Sequence, residues 1–367
     1  MINDATWGLL DENIICFHHQ KKTQVLIILN AELNTIFQIK ETIGSIWFKT
    51  NLNGKYFYFA RFRNENNETE YIQASFLGDK IDLESVWFPK KFELMKYYSP
   101  IYNDNNIVYG NNNGYWTKTN LKGDFIWESK IDAGHCYAWN DNYLYFLKVE
   151  KGNSEEKFIE KESTVVCLSQ EDGSMLWRND IEGIVSTPIL LYEDRILVES
   201  KKHGIVCIEA SSGQILWNWK KSEYQCCRKY TIDYEGILHI LEVDIYYQLN
   251  LQDGSIMNVL DLKKELKRFK IKIGGEYVDD RKDYGLTFGM SSFQPSVSAE
   301  HFLIAIFNQV IFVNKSTGKM DYSYLLEDKR GKVSELAIIG ENRIILVEAC
   351  FSSKMPNTIW KVLESVV

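Results

Sequence analysis

The apolar positions of this chain form short runs that recur along the sequence at intervals near 40 residues. Each of the two clearest copies holds an apolar run, a glycine and a leucine–tryptophan pair: Val165–Leu168, Gly173 and Leu176–Trp177, then Ile205–Ile208, Gly213 and Leu216–Trp217. The two glycines are 40 residues apart. A period near 40 residues, with a glycine turn followed by a tryptophan-bearing strand, indicates the blades of a β-propeller.

Each full copy predicts four strands joined by tight turns. In the clearest copy these are Thr187–Leu191, Arg195–Ser200, Gly204–Glu209 and Gln214–Trp219. The second and third strands are continuous apolar runs, as expected when both faces of a strand pack against neighbouring blades. The glycine before the fourth strand supplies the positive φ that a tight hairpin requires.

The positions equivalent to this turn predict the number of blades. They fall at residues 34, 78, 123, 173, 213, 254 and 318, and three further strands follow the last of them. We therefore predict an all-β, single-domain, eight-bladed propeller of four-stranded blades spanning residues 1–367. The last blade either has three strands or takes its outer strand from Met1–Asp4, and a seven-bladed ring is the alternative.

The strand and turn residues of these copies resemble a known family. The segments that carry the resemblance are Ser186–Ile189, Arg195–Val198, Ile205–Ala210, Ser212–Gly213 and Leu216–Trp217. They are similar to the pyrroloquinoline-quinone-type propeller repeat, over about residues 100–260 and 295–325. The resemblance implies the quinoprotein-like fold. It does not imply the quinone, because many proteins with this repeat bind no cofactor and act as scaffolds.

Composition and charge predict a compartment. The seven cysteines are an odd number without a framework spacing, which is typical of reduced thiols. Met1–Gln20 lacks the basic and apolar regions of a signal peptide, and the longest aliphatic run, Val25–Leu29, is too short to span a membrane. We therefore expect a cytoplasmic protein that does not enter a membrane.

Motifs that would indicate an enzyme are absent from the sequence. It holds no phosphate-binding glycine loop, His-Glu-x-x-His, Gly-x-Ser-x-Gly or Cys-x-x-Cys. Cys226–Cys227 resembles the vicinal pair of quinone-dependent alcohol dehydrogenases, but small buried residues in a strand are the favoured interpretation. Cys167 and Cys207 occupy the same strand position in adjacent copies, and we predict that both are packing residues. We expect no catalytic, cofactor or metal site, and we interpret His18, His19, His135 and His203 as loop histidines.

Two long insertions fall on the same predicted face of the propeller, Glu150–Glu162 and Asp261–Met290. The first is a mixed-charge segment. Within the second, Leu262, Leu266 and Phe269 have helical spacing, which predicts a short helix over Asp261–Lys272 with this stripe on the propeller. The candidate partner-binding residues are the basic residues of this segment, here called the basic island, and two glutamates: Lys263, Lys264, Lys267, Arg268, Lys270 and Lys272, then Glu155 and Glu156.

These patterns favour a non-enzymatic, protein-binding propeller. The most specific hypothesis is an immunity protein that neutralises a bacterial competition toxin, because a chain with net charge −8 suits capture of a basic toxic domain. Nucleic acid is disfavoured as a partner, since no aromatic residues interleave the basic island. The alternative is a quinone- or metal-dependent enzyme, or a small-ligand binder, that uses the central channel.

Overall fold

The part of the chain that the structure describes is all-β with one short helix. The computed structural model describes residues 7–10, 13–20, 23–29, 34–39, 56–63, 68–77, 80–87, 101–103, 106–110, 115–131, 135–149, 162–184, 189–200, 202–220, 229–233, 235–242, 245–270, 272–273, 276–277, 287–288, 300–306, 309–325, 331–339, 343–352 and 355–364. Within these ranges the sheets are antiparallel and follow the order of the chain.

Six of the sheets have four strands. They are β1–β4 (Trp7–Leu10, Asn13–Gln20, Thr23–Leu29, Thr35–Ile39), β8–β11 (Ile101–Asn103, Asn106–Gly110, Trp116–Asn120, Phe125–Ser129) and β12–β15 (His135–Trp139, Tyr143–Val149, Glu162–Ser169, Met175–Glu182). The others are β16–β19 (Leu190–Tyr192, Arg195–Ser200, Gly204–Glu209, Ile215–Trp219), β20–β23 (Lys229–Ile232, Ile237–Glu242, Ile245–Asn250, Ile256–Asp261) and β26–β29 (Thr287–Phe288, His301–Ile306, Gln309–Asn314, Met320–Leu325).

Two sheets have three strands within the described residues, and one hairpin has two. The three-stranded sheets are β5–β7 (Tyr56–Arg63, Glu68–Leu77, Lys80–Val86) and β30–β32 (Gly331–Ile339, Arg343–Ser352, Met355–Glu364). The hairpin β24–β25 (Lys272–Ile273, Glu276–Tyr277) follows helix α1 (Leu262–Arg268). The second and third strands predicted for the clearest copy match β17 and β18 residue for residue.

The hydrophobic core lies between neighbouring sheets. Cys167 and Trp177 of one sheet pack in the same cluster as Ile196 and Val206 of the next. The first strands of neighbouring sheets contact each other, β12 with β16 and β16 with β20. The first strands are therefore innermost, and the fourth strands form the outer rim.

Tryptophans of the fourth strands join one sheet to the next. The indole Nε1–H of Trp127 donates to the Gln170 carbonyl at 3.0 Å, and that of Trp177 donates to the Ala210 carbonyl at 3.0 Å. Trp217 makes the equivalent bond to the Leu251 carbonyl at 3.0 Å. Each indole therefore bonds to the neighbouring sheet, at the turn that precedes the fourth strand of that neighbouring sheet.

Helix α1 is shorter than the sequence predicts. It begins after Asp261, whose side chain accepts a hydrogen bond from the backbone N–H of Lys264, and it ends at Arg268. Leu262 and Leu266 are buried as predicted. The placement of Phe269 on the same buried stripe is wrong, because this residue is the C-cap and is 41% exposed.

The chain path agrees with the predicted places of the two long insertions. One lies between β13 and β14, the second and third strands of their sheet, and the other joins β23 to β26, the fourth strand of one sheet to the first of the next. In an antiparallel meander both connections fall at the same end of the strands. None of the helices in the described ranges is long and apolar enough to cross a membrane.

Candidate partner-binding surface

A β-bulge recurs at one place in all six four-stranded sheets, between the third and fourth strands. In the sheet β12–β15, Cys167 pairs with Trp177 but Leu168 pairs with Met175, so Leu176 has no partner across the ladder. A bulge of this kind re-aims the side chain of the extra residue. The unpaired residues in four consecutive sheets are apolar: Ile126, Leu176, Leu216 and Met257.

These bulges place pairs of large apolar side chains on the outer rim. The bulge residues and their neighbours form a set that we call the rim belt: Phe125, Ile126, Met175, Leu176, Ile215, Leu216, Ile256 and Met257. Each member is between 37% and 66% exposed. An isolated exposed apolar residue is ordinary, whereas repetition at one position of four blades is a regular surface feature.

The exposed apolar surface is concentrated in the fourth strands. Twelve large apolar side chains are exposed among the residues that the structure describes, and eleven lie in β11, β15, β19, β23 or β29. The exception is Phe269 beside the helix. Where their burial is described, nearly all apolar residues of the second and third strands are buried, for example Leu197 and Val206. The rim is therefore the part of the described molecule that presents apolar groups to a partner.

The fourth strands and the turns before them are acidic. Residues 120–131, 169–182, 209–220 and 250–261 together hold nine Asp or Glu and four Lys or Arg. The backbone N–H and hydroxyl of Ser174 hold the pKa of the Asp172 carboxyl below its usual value. A hydrogen bond from Thr164 lowers the pKa of Asp180. These carboxylates are charged at neutral pH, so the rim belt is set in a negative surface.

Grooves between blades reach the rim belt. One groove of about 520 Å³ runs beside Leu176 and is lined by Lys118, Tyr143 and Gln170. The Lys118 ammonium donates to the Gln170 carbonyl at 2.7 Å, and burial lowers the pKa of Lys118.

A larger cavity of about 700 Å³ lies beside Met257, where the next sheet follows. We call it the Asn258 cavity; its lining residues are Glu235, Ile237, Gln248, Met257, Asn258, Glu300, Asn314, Lys315, Ser316 and Thr317. Asn258 pairs with Gln248 across the bulge, as Trp217 pairs with Cys207 one sheet earlier. Asparagine therefore stands here at the position that tryptophan holds in the preceding sheets.

A buried polar network adjoins this cavity through Lys315 and Glu235, which line it. His239 is fully buried. Its Nε2 atom lies 3.0 Å from the Asp233 carboxylate, and its Nδ1 atom lies 2.6 Å from the Tyr246 hydroxyl. The Lys315 ammonium is 3.4 Å from Asp233 and 3.6 Å from the Glu235 carboxylate.

Burial sets the charges of this network. Burial lowers the pKa of His239, so the ring is neutral, donates from Nε2 and accepts from the tyrosine hydroxyl. Burial alone would raise the pKa of Asp233, but hydrogen bonds from His239 and from the Ile237 backbone N–H, with the charge of Lys315, hold it low. The network thus pairs an ionised carboxylate with the buried ammonium of Lys315.

The structure brings part of the basic island together on α1. Lys264 pairs with Asp261 at 3.2 Å and Arg268 pairs with Glu265 at 3.3 Å, so two of the cations are already engaged within the helix. Lys267 and Lys270 are exposed, Lys263 is half-buried, and Lys272 begins β24. Partner binding by the island stays a prediction. Glu155 and Glu156 lie outside the described residues.

The cysteine prediction holds where the structure describes it. Cys167 and Cys207 are not disulfide-bonded and are fully buried, which confirms them as packing residues, and burial raises the pKa of Cys207 to about 12. Cys226–Cys227 lies outside the described residues. No group of three or more His, Cys, Asp or Glu arranged for a metal ion occurs in the described ranges.

Sequence reasoning missed the rim belt, Asn258 and His239. The copies already carry the signal for Asn258, since Gly254 plus four residues is asparagine where Gly173 and Gly213 plus four are tryptophan. His239 interrupts the apolar run Ile237–Leu241, and a polar residue in an inner strand indicates a buried network. Exposure of the belt depends on the bulge, which has no signal of its own.

Comparison with known proteins agrees with the geometry. Residues 113–229 match the family described as Outer membrane protein assembly factor BamB. No curated protein is similar enough in sequence to count as a relative.

Three solved structures resemble the whole chain. BamB from Moraxella catarrhalis has a TM-score of 0.53 and 10% identity, covering 97% of this chain and 96% of its own. The computationally designed Ika8 protein has a TM-score of 0.53 and 9% identity, covering 99% and 97%. Saccharomyces cerevisiae Sqt1 has a TM-score of 0.53 and 10% identity, covering 100% and 98%. At these identities the likeness shows the fold alone.

Proposed function

This chain is a repeat β-propeller of the BamB-like type, and from that premise we propose that it is a non-enzymatic scaffold that binds a protein partner. The rim belt carries the proposal. Large apolar side chains exposed in series are the surface feature that a protein interface covers. The outermost strand of each sheet also leaves backbone groups unpaired along one edge, which an extended segment of a partner can use.

The charge of the rim belt surroundings indicates the chemistry of the partner. Nine acidic and four basic residues flank the belt, and the whole chain has net charge −8. Complementary potentials accelerate association and select against partners of like charge. We therefore propose a partner whose contact surface is apolar at its centre and basic around it. Within this class, our specific proposal is a basic toxin domain, which makes this chain an immunity protein of bacterial competition.

The cysteines bear on the compartment in which the interaction takes place, and the sheets bear on the number of blades. Cys167 and Cys207 are buried thiols that are not disulfide-bonded, which suits a reducing compartment and supports the cytoplasm as the location. The six four-stranded and two three-stranded sheets support a ring of eight blades over one of seven. In this proposal the sheet β30–β32 closes the ring against β1–β4. Met1–Asp4, the alternative source of an outer strand in the sequence prediction, lies outside the described residues.

A matched pair of variants tests partner binding. In the rim variant, glutamine replaces the four bulge residues: Ile126→Gln, Leu176→Gln, Leu216→Gln and Met257→Gln. The control variant carries Glu128→Gln and Asn218→Gln, at exposed polar positions of the same strands. Both variants should fold like the wild-type chain, because exposed substitutions usually change stability by less than about 0.5 kcal/mol.

The readout is capture of partner from a native extract by tagged wild-type, rim-variant and control chains. We expect wild type and control to retain the same protein, identified by mass spectrometry, and the rim variant to bind it at least about tenfold more weakly. Equal capture by all three chains would show that the rim belt is not part of the interface. The immunity proposal is then tested by producing the captured protein in a bacterial host. That protein should be toxic when it is produced alone and harmless when this chain is produced with it.

A further inference from the structure

At four junctions an aromatic ring lies on the glycine turn of the next sheet. The pairs are Trp87 on Gly123, Trp127 on Gly173, Trp177 on Gly213 and Trp217 on Gly254. In every pair a Cβ on the glycine would lie within 2.7 Å of the indole, so the turn is shaped to receive a flat ring. In the last three pairs, the indole N–H donates to the carbonyl three residues before the glycine.

The fifth junction keeps this receiving surface but has no tryptophan. Gly318 has the positive φ of +61° and its N–H donates to the Asn314 carbonyl at 2.8 Å, as in the turns at Gly173, Gly213 and Gly254. The Lys315 carbonyl stands at the acceptor position, three residues before the glycine. Its side-chain donor is Gln248 Nε2 at 3.4 Å, a long bond. The residue that should supply the ring is Asn258.

The Asn258 amide covers the glycine without being held there. Its Nδ2 lies 1.4 Å from the position that a Cβ on Gly318 would take. The same nitrogen is buried and has no hydrogen-bond partner among the described residues. Rotation of the amide away from Gly318 therefore breaks no hydrogen bond of this group, and it opens the turn to the Asn258 cavity of about 700 Å³.

We infer that the Asn258 cavity is a binding site for an indole ring. The ring would lie on the Gly318 turn between Ile237 and Met257, which line the cavity, and donate its N–H to the Lys315 carbonyl. A second cation, such as an arginine side chain, is disfavoured because the nine-tenths buried Lys315 ammonium lines the same space. A tryptophan side chain of the partner is one source of the ring, and this source rests on the proposed function; a free indole compound is the other.

The site is tested with N-acetyl-L-tryptophanamide as the probe, using ligand-observed nuclear magnetic resonance on the full chain. We expect binding with a dissociation constant on the order of 1 mM or tighter, as a small fragment in a preformed cavity allows. Asn258→Trp should fill the cavity from within, abolish probe binding and raise the melting temperature. Asn258→Ala is the matched control: it leaves the cavity open and should bind the probe at least as well as wild type.

Two results overturn the inference: no probe binding to wild type and Asn258→Ala, or preferential binding of N-acetyl-L-argininamide over the indole probe. If Asn258→Trp fails to fold, Asn258→Phe serves as the second filling variant. Partner capture distinguishes the sources. A partner tryptophan predicts at least about tenfold weaker capture by Asn258→Trp, whereas unchanged capture with probe binding assigns the site to a free indole compound. Because Met257 lines the cavity, the two proposals are separated with a rim variant that keeps it: Ile126→Gln, Leu176→Gln and Leu216→Gln should lose capture while probe binding stays intact.

Discussion

The contact between Trp177 and Gly213 makes a quantitative prediction about how blades are joined. The ring is buried, and a Cβ at Gly213 would lie 2.6 Å from its Cδ2 atom. Trp177→Ala should cost about 3–5 kcal/mol through lost packing. Gly213→Ala has two costs: about 1–2 kcal/mol for an L-residue at φ +76°, and about 1–3 kcal/mol for overpacking against the ring.

The double variant separates these costs. Without the ring, the alanine at position 213 meets no indole, so only the cost of positive φ should persist. The combined loss in free energy of unfolding should then be smaller than the sum of the single losses by about 1–3 kcal/mol. Urea titration of the full chain, monitored by far-ultraviolet dichroism and fitted with a common slope, measures the free energy of unfolding of each variant.

Gly236 provides a matched control. It also has a positive φ, +74°, but its nearest neighbours to an added Cβ are Tyr192 atoms at 3.5 Å or more, an ordinary contact. Gly236→Ala should therefore carry the φ cost alone and add to Trp177→Ala without coupling. Coupling below about 0.5 kcal/mol in the Trp177–Gly213 cycle would refute the docking of the ring on the glycine turn.

Three further predictions follow from particular residues. The pKa of His239 is lower in the folded chain than its usual 6.5, so on acidification the unfolded chain gains a proton first, and stability should fall as the pH drops below about 6.5. Between pH 7.5 and 5.5 the melting temperature of His239→Gln should therefore fall less than that of the wild-type chain. An equal fall in both chains contradicts the assignment. With a thiol pKa of about 12, Cys207 should resist iodoacetamide at pH 8 until urea unfolds the chain; early modification seen by mass spectrometry would show the thiol is accessible. Reversing the α1 cations of the basic island to Glu should leave partner capture unchanged if the rim belt is the interface, whereas the sequence-based hypothesis expects weaker capture with an almost unchanged melting temperature.

The fold could be predicted from the sequence because each repeat carries the local sequence signals of one blade. A glycine turn, two apolar strands and a tryptophan strand specify one blade, and the copies near Gly173 and Gly213 keep the same spacing from the third strand to the tryptophan strand. The strands β17 and β18 therefore match the prediction. Helix α1 was predicted too long because its stripe was extended to Phe269, where the C-cap has already turned the side chain to solvent.

The candidate site was much harder to predict, for a physical reason. Leu176 and Leu216 are each flanked by two apolar residues, so the sequence does not mark them as exposed. The bulge removes them from the ladder and exposes them, and it arises from the pairing of two strands rather than from either strand alone. The Asn258 cavity depends on contacts between two sheets, which a single copy of the repeat does not contain.

Hydrogen–deuterium exchange of the chain with and without its captured partner tests the central claim most directly, because it maps the interface without substitutions. The rim account predicts slowed exchange in the fourth strands β11, β15, β19 and β23, with α1 and the inner strands unchanged. Protection confined to α1, with the fourth strands exchanging as in the free chain, would contradict it.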